Sequence, residues 1–463
     1  MTALVLAYAL VLLALFVYGA NGYVLAALRL RGRPSPAAMP LHWPAVTVQV
    51  PIYNERDMAP RVLDAVTRLD YPGSIEIQVL DDSTDDTSDL VARLAMEFRS
   101  RGIDIVHLRR SHRIGFKAGA LAAGLCKARG EVIAVFDADF VPPSDFLIRT
   151  VPQLLSASDI GCVQTRWGHL NRNANHLTRA QAIAVDAHFA VEQAARVGTG
   201  WPAAFNGSAG IWRRRAIEDS GGWSADTLTE DLDLSYRAQL GGWRIAYLGD
   251  AVCPGELPEA LAALKVQQRR WAQGSTQTAR KILPVLWRSQ LSLGAKLQGT
   301  IHLTHYAVHP LMLLSAALAV PFAIFAPPEA GFWFLMPPIA LATGGPATMA
   351  LCARHDLGER FTVLELLLSL VVGTGLALSN TLAVLRGFRS GGRFVRTPKG
   401  PSYASPPDRL GRVELTCAAG CAGTAILLLA RGIVSLVPFL ALYAAGLGWM
   451  GLESLLAARA TRS

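Results

Sequence analysis

The chain has 463 residues, 51% of them hydrophobic, with a formal net charge of +9 and six cysteines. That length allows one or two domains with a real core. The cysteines are scattered without a C-x-x-C pair, which excludes a disulfide framework or a zinc site as the organising feature. The basic residues cluster beside apolar segments, where anionic lipid and membrane topology explain them better than nucleic acid does.

Residues 1–28 are nearly charge-free, and about 20 apolar residues suffice to span a bilayer. No basic residue precedes the apolar run and no early A-x-A site follows it, so it reads as an anchor and not a cleaved leader. Arg29, Arg31 and Arg33 come next. Loops rich in Arg and Lys stay on the cytoplasmic side, which predicts a cytosolic location for the following domain at the cell (inner) membrane.

From 45 to 255, β-rich runs alternate with helical patterns. "AVTVQVPIYNE", "IEIQVLDDS", "IDIVHLRR", "EVIAVFDAD" and "IGCVQTRW" read as strands, and "DMAPRVLDAVTRL", "TSDLVARLAMEFRSRG" and "FKAGALAAGLCKARG" as helices between them. The alternation predicts an α/β domain with a mainly parallel sheet, whose ligand site lies beyond the carboxyl ends of the strands. Acids gather at those ends: Glu55 beside Tyr53, then Asp81 and Asp82, then Asp137 and Asp139. Neither G-x-G-x-x-G nor G-x-x-x-x-G-K-[ST] occurs, so a dinucleotide site and a P-loop are unsupported.

In an extended strand Asp137 and Asp139, two positions apart, face the same way and repel unless a cation sits there. Hard oxygen ligands with open positions suit Mg²⁺ or Mn²⁺ holding a diphosphate. Further on, in "TLTEDLDLSYRAQLGGW", Thr229 has the character of a helix N-cap, with Glu230, Asp231 and Asp233 in the first turn. Asp231 has a second possible use, as the base that takes a proton from an acceptor hydroxyl. In "LPEALAALKVQQRRWAQG", from the predicted interface helices at 256–298, Gln267, Arg270 and Trp271 fall within about one helical turn. They suit either an interfacial anchor or a diphosphate clamp with a flat floor for a sugar ring.

The ordered set D-D (Asp81, Asp82), D-x-D (Asp137 to Asp139), T-E-D (Thr229 to Asp231) and Q-x-x-R-W (Gln267 to Trp271) resembles the membrane-embedded family 2 glycosyltransferases of the cellulose synthase superfamily. "FNGSAGIWRRRAIEDSGGW" and "ELPEALAALKVQQRRW" look closest to the cellulose-synthase-like A and C proteins, and "FVRTPKG" is similar to the gating loop of cellulose synthase. The resemblance implies a GT-A-like domain and an inverting, processive β-glycosyltransferase that extends a polysaccharide. The runner-up is transfer of a single sugar to a lipid acceptor. It also implies residue roles. Tyr53, Glu55, Asp81, Asp82, Lys117, Asp137, Gln267 and Arg270 would bind the nucleotide sugar, and Asp137 and Asp139 would hold the metal. Asp231, with Glu230 beside it, would be catalytic; Asn206, Gly207, Ser208 and Trp271 would receive the acceptor; Phe394, Thr397 and Lys399 would form the gate. UDP-glucose and GDP-mannose both remain open as donor. Arg396 stands where the cellulose synthase loop usually has Val, and Pro398 stiffens the segment.

Residues 300–352 read as a transmembrane hairpin and 414–452 as a second. Between them, 362–385 is apolar enough to cross, yet a crossing would put 386–412 outside with Arg386, Arg389, Arg393, Arg396, Lys399, Arg409 and Arg412 against one acid, Asp408. The positive-inside rule opposes that, so 362–412 is expected to lie at or re-enter from the cytoplasmic interface, leaving five spans.

Overall fold

The structure is a computed structural model that describes residues 2–32, 37–325, 336–389, 391–392, 394–397 and 408–460. Of the expected positions, Arg33, Arg393, Pro398 and Lys399 lie outside the described residues, as does the turn of the first hairpin.

Helix α1 (Thr2–Leu28) precedes a domain that runs β1 (Val46–Ile52), α2 (Ala59–Thr67), β2 (Ile75–Asp81), α3 (Thr87–Ser100), β3 (Ile105–Arg109), α4 (Phe116–Leu125) and β4 (Val132–Val135). It continues through α5 (Phe146–Leu155), β5 (Ile160–His169), α6 (His176–Ala187), α7 (Ala194–Gly198), β6 (Gly210–Arg213), α8 (Arg214–Asp219), α9 (Glu230–Leu240) and β7 (Arg244–Gly255). The seven strands form one sheet in the order β3-β2-β1-β4-β6-β5-β7. Pairing is parallel from β3 to β4 and between β5 and β7, and β6 runs antiparallel to both its neighbours.

Alternation along β1 explains the layering. Val46, Val48, Val50 and Ile52 pack with Val62, Leu63 and Val66 of α2, Val91 and Phe98 of α3, and Val151 and Leu154 of α5. On the opposite face Leu80, Ile133 and Val135 meet Leu121 of α4, Ala216 of α8 and Leu234 of α9. Thr47 points to this second face, where its hydroxyl donates to Glu76 at 2.7 Å, so the buried polar group has a partner.

The expected mainly parallel sheet with helices on both faces is present. Two local expectations differ. Strand β4 ends at Val135, and Asp137 and Asp139 sit on the turn after it, closed by Phe140 N–H donating to the Asp137 carbonyl at 3.0 Å. The backbone leaves the ladder there because Asp137 N–H bonds the Ser208 hydroxyl (2.9 Å) in place of a strand carbonyl. Thr229 does precede α9, but its side chain makes no cap; its hydroxyl bonds that of Thr278 at 3.1 Å instead.

After the sheet come the 28-residue α10 (Leu261–Arg288), α11 (Leu293–Thr304), α12 (Val308–Phe325), α13 (Met336–Leu357), α14 (Val363–Gly375), α15 (Ala377–Gly387), α16 (Gly411–Ala430) and α17 (Val437–Ala460). Among the described residues, four stretches are long and apolar enough to cross a membrane: Ala3–Arg31, Leu293–Phe325, Gly411–Ala430 and Val437–Ala457. The second takes in α11 as well as α12, so it starts earlier than the sequence boundary near 300. Helix α13 is not among the four; Thr343, Gly344, Gly345 and Pro346 interrupt its apolar run. Helices α14 and α15 pass the same test as a pair but are bent by 44°. At the bend Asn380 is buried beside His309 of α12, 3.0 Å away.

Candidate active site

Strands β1, β2 and β4 are adjacent and parallel, so their carboxyl ends open on one crevice. A cavity of about 350 Å³ lies there. Its wall is completed by the loop before β6, the start of α9, one face of α10 and the segment Phe394–Thr397.

Lys117, in the first turn of α4, is the electrostatic centre. Its ammonium lies 2.6 Å from Asp137 Oδ1 and 3.8 Å from Glu230 Oε1, and it donates to the Gly207 carbonyl at 2.8 Å. Burial opposes its charge, but Asp137, then Glu230 and Asp231, outweigh that and hold it above the usual lysine range. A solvated surface lysine is therefore excluded at this position.

Asp231 faces the same point from the first turn of α9. Burial, then the charge of Glu230, pushes its carboxyl up to about 7 against the opposing pull of Lys117, the Leu232 N–H and Arg270. Gly207 closes on it: φ is +83°, and a Cβ there would come within 2.7 Å of Asp231 Oδ2. Both the backbone conformation and the space demand glycine.

Glu55 is raised to about 7, first by burial and also by Asp139 and Asp137, with Arg396 opposing from 3.6 Å. Asp82 lines the cavity and is held by a bidentate contact from Arg110. The Arg113 guanidinium lies 3.3 Å from the Tyr53 ring centroid, leaving a flat cationic surface at the mouth. Phe394 stacks on Phe116 at 5.7 Å and on the Arg270 guanidinium at 4.6 Å, which brings the gating-like segment onto Q-x-x-R-W.

Thirteen of the residues singled out from the sequence, Tyr53, Glu55, Asp82, Lys117, Asp137, Asp139, Asn206, Gly207, Glu230, Asp231, Gln267, Arg270 and Trp271, line this cavity, with Phe394 and Thr397. Asp81 and Ser208 do not. Asp81 turns toward β3, bonded to His107 at 2.9 Å and to the Ser83 N–H at 2.8 Å. Burial alone would raise it, but those bonds bring it down to about 2. Ser208 is fully buried and acts behind the wall, holding the Asp137 backbone. Sequence reasoning missed Arg113 and Arg396 as site residues; "SHRIGFK" carried a basic residue one turn before Lys117, the one available signal for Arg113.

Among the described residues no three His, Cys, Asp or Glu side chains form a ready-made metal cage. The donor set nonetheless fits a hard divalent cation: two carboxylates on one turn beside Glu55, with coordination left for substrate oxygens.

Fold and site together define a GT-A-like glycosyltransferase domain. Residues 44–274 match the family described as "Glycosyltransferase like family 2", and through that domain the chain belongs to it. It is 38% identical over 350 residues to probable glucomannan 4-beta-mannosyltransferase 11 of Oryza sativa subsp. japonica, covering 72% of this chain and 61% of the relative. It is 41% identical over 254 residues to glucomannan 4-beta-mannosyltransferase 2 of Arabidopsis thaliana, covering 54% and 48% respectively. The chain thus spans about half to three-fifths of the length of these curated relatives. The mannosyltransferase PcManGT from Pyrobaculum calidifontis, solved with GDP-Man and Mn²⁺, superposes with a TM-score of 0.57 at 23% identity, over 82% of this chain and 99% of that one, a likeness of fold.

Proposed function

We propose that the protein is an inverting β-mannosyltransferase that uses GDP-mannose to extend a β-linked polysaccharide at the inner face of the membrane. The observation that carries the reading is the convergence of Asp231, Lys117, Asp137 and Arg270 on one cavity in a chain of this family. The choice of mannose over glucose rests on the mannosyltransferase names of the relatives and on the GDP-Man bound by PcManGT.

In this reading Tyr53, Asp82 and Arg113 receive the nucleoside, and Lys117 and Arg270 neutralise the diphosphate. Asp137 and Asp139 would hold Mg²⁺ or Mn²⁺, which supplies charge neutralisation for the leaving diphosphate. Asp231 takes the proton from the acceptor hydroxyl as its oxygen forms the new bond to the anomeric carbon. The bond from that carbon to the diphosphate oxygen breaks, and the leaving group keeps the electron pair. One displacement inverts, so an α-linked donor gives a β-linked product. Trp271 floors the acceptor sugar, with Asn206 and Gly207 opposite.

The domain at 45–255 lies in the cytosol in this reading, with α1, α11–α12, α13, α16 and α17 in the membrane and 362–412 at the interface. A second reading, transfer of one sugar to a lipid acceptor, is favoured by a largely apolar cavity of about 440 Å³ among the membrane helices. It shares Ala184, His309, Ser369 and Gly373 with the site cavity. Purified protein given radiolabelled GDP-mannose or UDP-glucose with Mn²⁺ decides between these. Label from GDP-mannose in a polymer cut by β-mannanase supports the first reading, and label extracted into organic solvent supports the second. Transfer from neither donor overturns both.

A further inference from the structure

Between α6 and α7 the helix widens into a π-helical stretch, His188–Gln193. Such widened turns re-aim side chains and recur at functional sites. Here the widening lies behind the loop that carries Asn206.

His188 bridges the two. Its Nδ1 lies 3.0 Å from Glu192 Oε2 and its Nε2 3.1 Å from Asn206 Oδ1. Glu192 is in turn held by Arg196, whose Nε donates to its Oε1 at 2.9 Å. Arg196 is itself fully buried and anchored on the Gln298 carbonyl at 3.2 Å. The Asn206 backbone is pinned by its N–H donating to Gln164 Oε1 at 2.8 Å, and its carboxamide is oriented from two sides, with Oδ1 beside His188 and Nδ2 donating to the Ala204 carbonyl at 3.3 Å. That side chain lines the site cavity.

Both ring nitrogens of His188 thus face acceptor oxygens. An imidazolium can donate to both; a neutral ring can donate to one only. With Oδ1 engaged by His188 and one amide hydrogen on the Ala204 carbonyl, the second hydrogen of the Asn206 NH₂ group is the one left for an incoming hydroxyl oxygen. Reversing the amide would set Oδ1 against the Ala204 carbonyl, so the surroundings fix the orientation with the NH₂ group as donor.

We propose that His188 is a positioning residue for acceptor binding, holding Asn206 so that its NH₂ group is offered to the acceptor sugar as a hydrogen-bond donor. This rests on the acceptor role of Asn206 in the function proposed above.

The test uses full-length protein in detergent, GDP-mannose as donor and a β-1,4-mannan oligosaccharide as acceptor. His188→Ala should raise the acceptor KM about tenfold, the effect of one lost hydrogen bond to an oriented group, with donor KM and kcat within about twofold. His188→Gln, whose amide can donate to Asn206 Oδ1, should restore the acceptor KM. An unchanged acceptor KM in His188→Ala, equal losses in donor and acceptor KM, or an acceptor KM in His188→Gln as high as in His188→Ala would each overturn the proposal. If the parent transfers nothing to the oligosaccharide while binding GDP-mannose, the acceptor assignment fails instead, before the variants are compared.

Discussion

Lys117 Nζ sits 2.6 Å from Asp137 Oδ1 inside a cavity that also holds Glu230 and Asp231. One buried ammonium serves three carboxylates, and its removal reaches all of them. Lys117→Met should lower activity by two orders of magnitude or more, on the order of what a charge aimed at the leaving group supplies. Because Lys117 also pulls the Asp231 carboxyl down, the acid limb of the residual pH–rate profile should move to higher pH. A profile with an unmoved limb would separate Lys117 from Asp231.

Asp231→Asn should keep GDP-mannose binding, measured by calorimetry, and lose about 10²–10⁴ in kcat, the usual contribution of a positioned base. In the parent, kcat/KM should rise with pH through about 7 as this carboxyl ionises.

The same groups shape stability. Asp231 and Glu55 keep their protons in the folded state up to about 7, whereas in the unfolded chain they ionise near pH ~4. The folded state binds more protons between those values. Their contribution to stability is therefore complete below pH ~4 and lost as pH rises through the folded value. The melting temperature should fall between about pH 5 and 8, and by less in Asp231→Asn. An identical fall in the variant would remove Asp231 from this account.

Removal of divalent metal by EDTA should abolish transfer, with Mn²⁺ or Mg²⁺ restoring it. Asp137→Ala and Asp139→Ala should each raise the metal concentration needed for half-maximal rate. Full activity in EDTA would dismiss the cation.

For topology, a cysteine at position 389 in an otherwise cysteine-free chain should resist a membrane-impermeant reagent in sealed cells and react after permeabilisation. Labelling in sealed cells would put the segment outside and end the interfacial assignment of 362–412.

Periodicity made β1 to β5 legible, since each is an apolar run bounded by turn residues. Strand β6 was not, because "GIWR" offers four residues after a glycine-rich loop and its antiparallel pairing depends on a partner distant in sequence. The site was legible wherever a motif had a fixed spacing. The orientation of Asp81 was not legible for a related reason: adjacent acids at a strand end point to opposite sides, and which of the two lines the crevice depends on His107, 26 residues away. Arg396 became a site residue only through a contact with Glu55 that no local pattern encodes.

Helix α10 has two working faces. Gln267, Arg270 and Trp271 look into the cavity, while Lys265, 1% exposed, is clamped by Asp408 at 2.7 Å, by Glu414 at 2.6 Å and by Ser454 at 2.8 Å, the last two on the C-terminal hairpin. Removing one member of such a buried cluster typically costs about 3–5 kcal/mol, because its partners stay charged. The hairpin therefore cannot tilt without turning the helix that carries Gln267, Arg270 and Trp271. The expected consequence is that bilayer thickness becomes a kinetic variable, and that a rate measured in micelles reports on the detergent as much as on the enzyme.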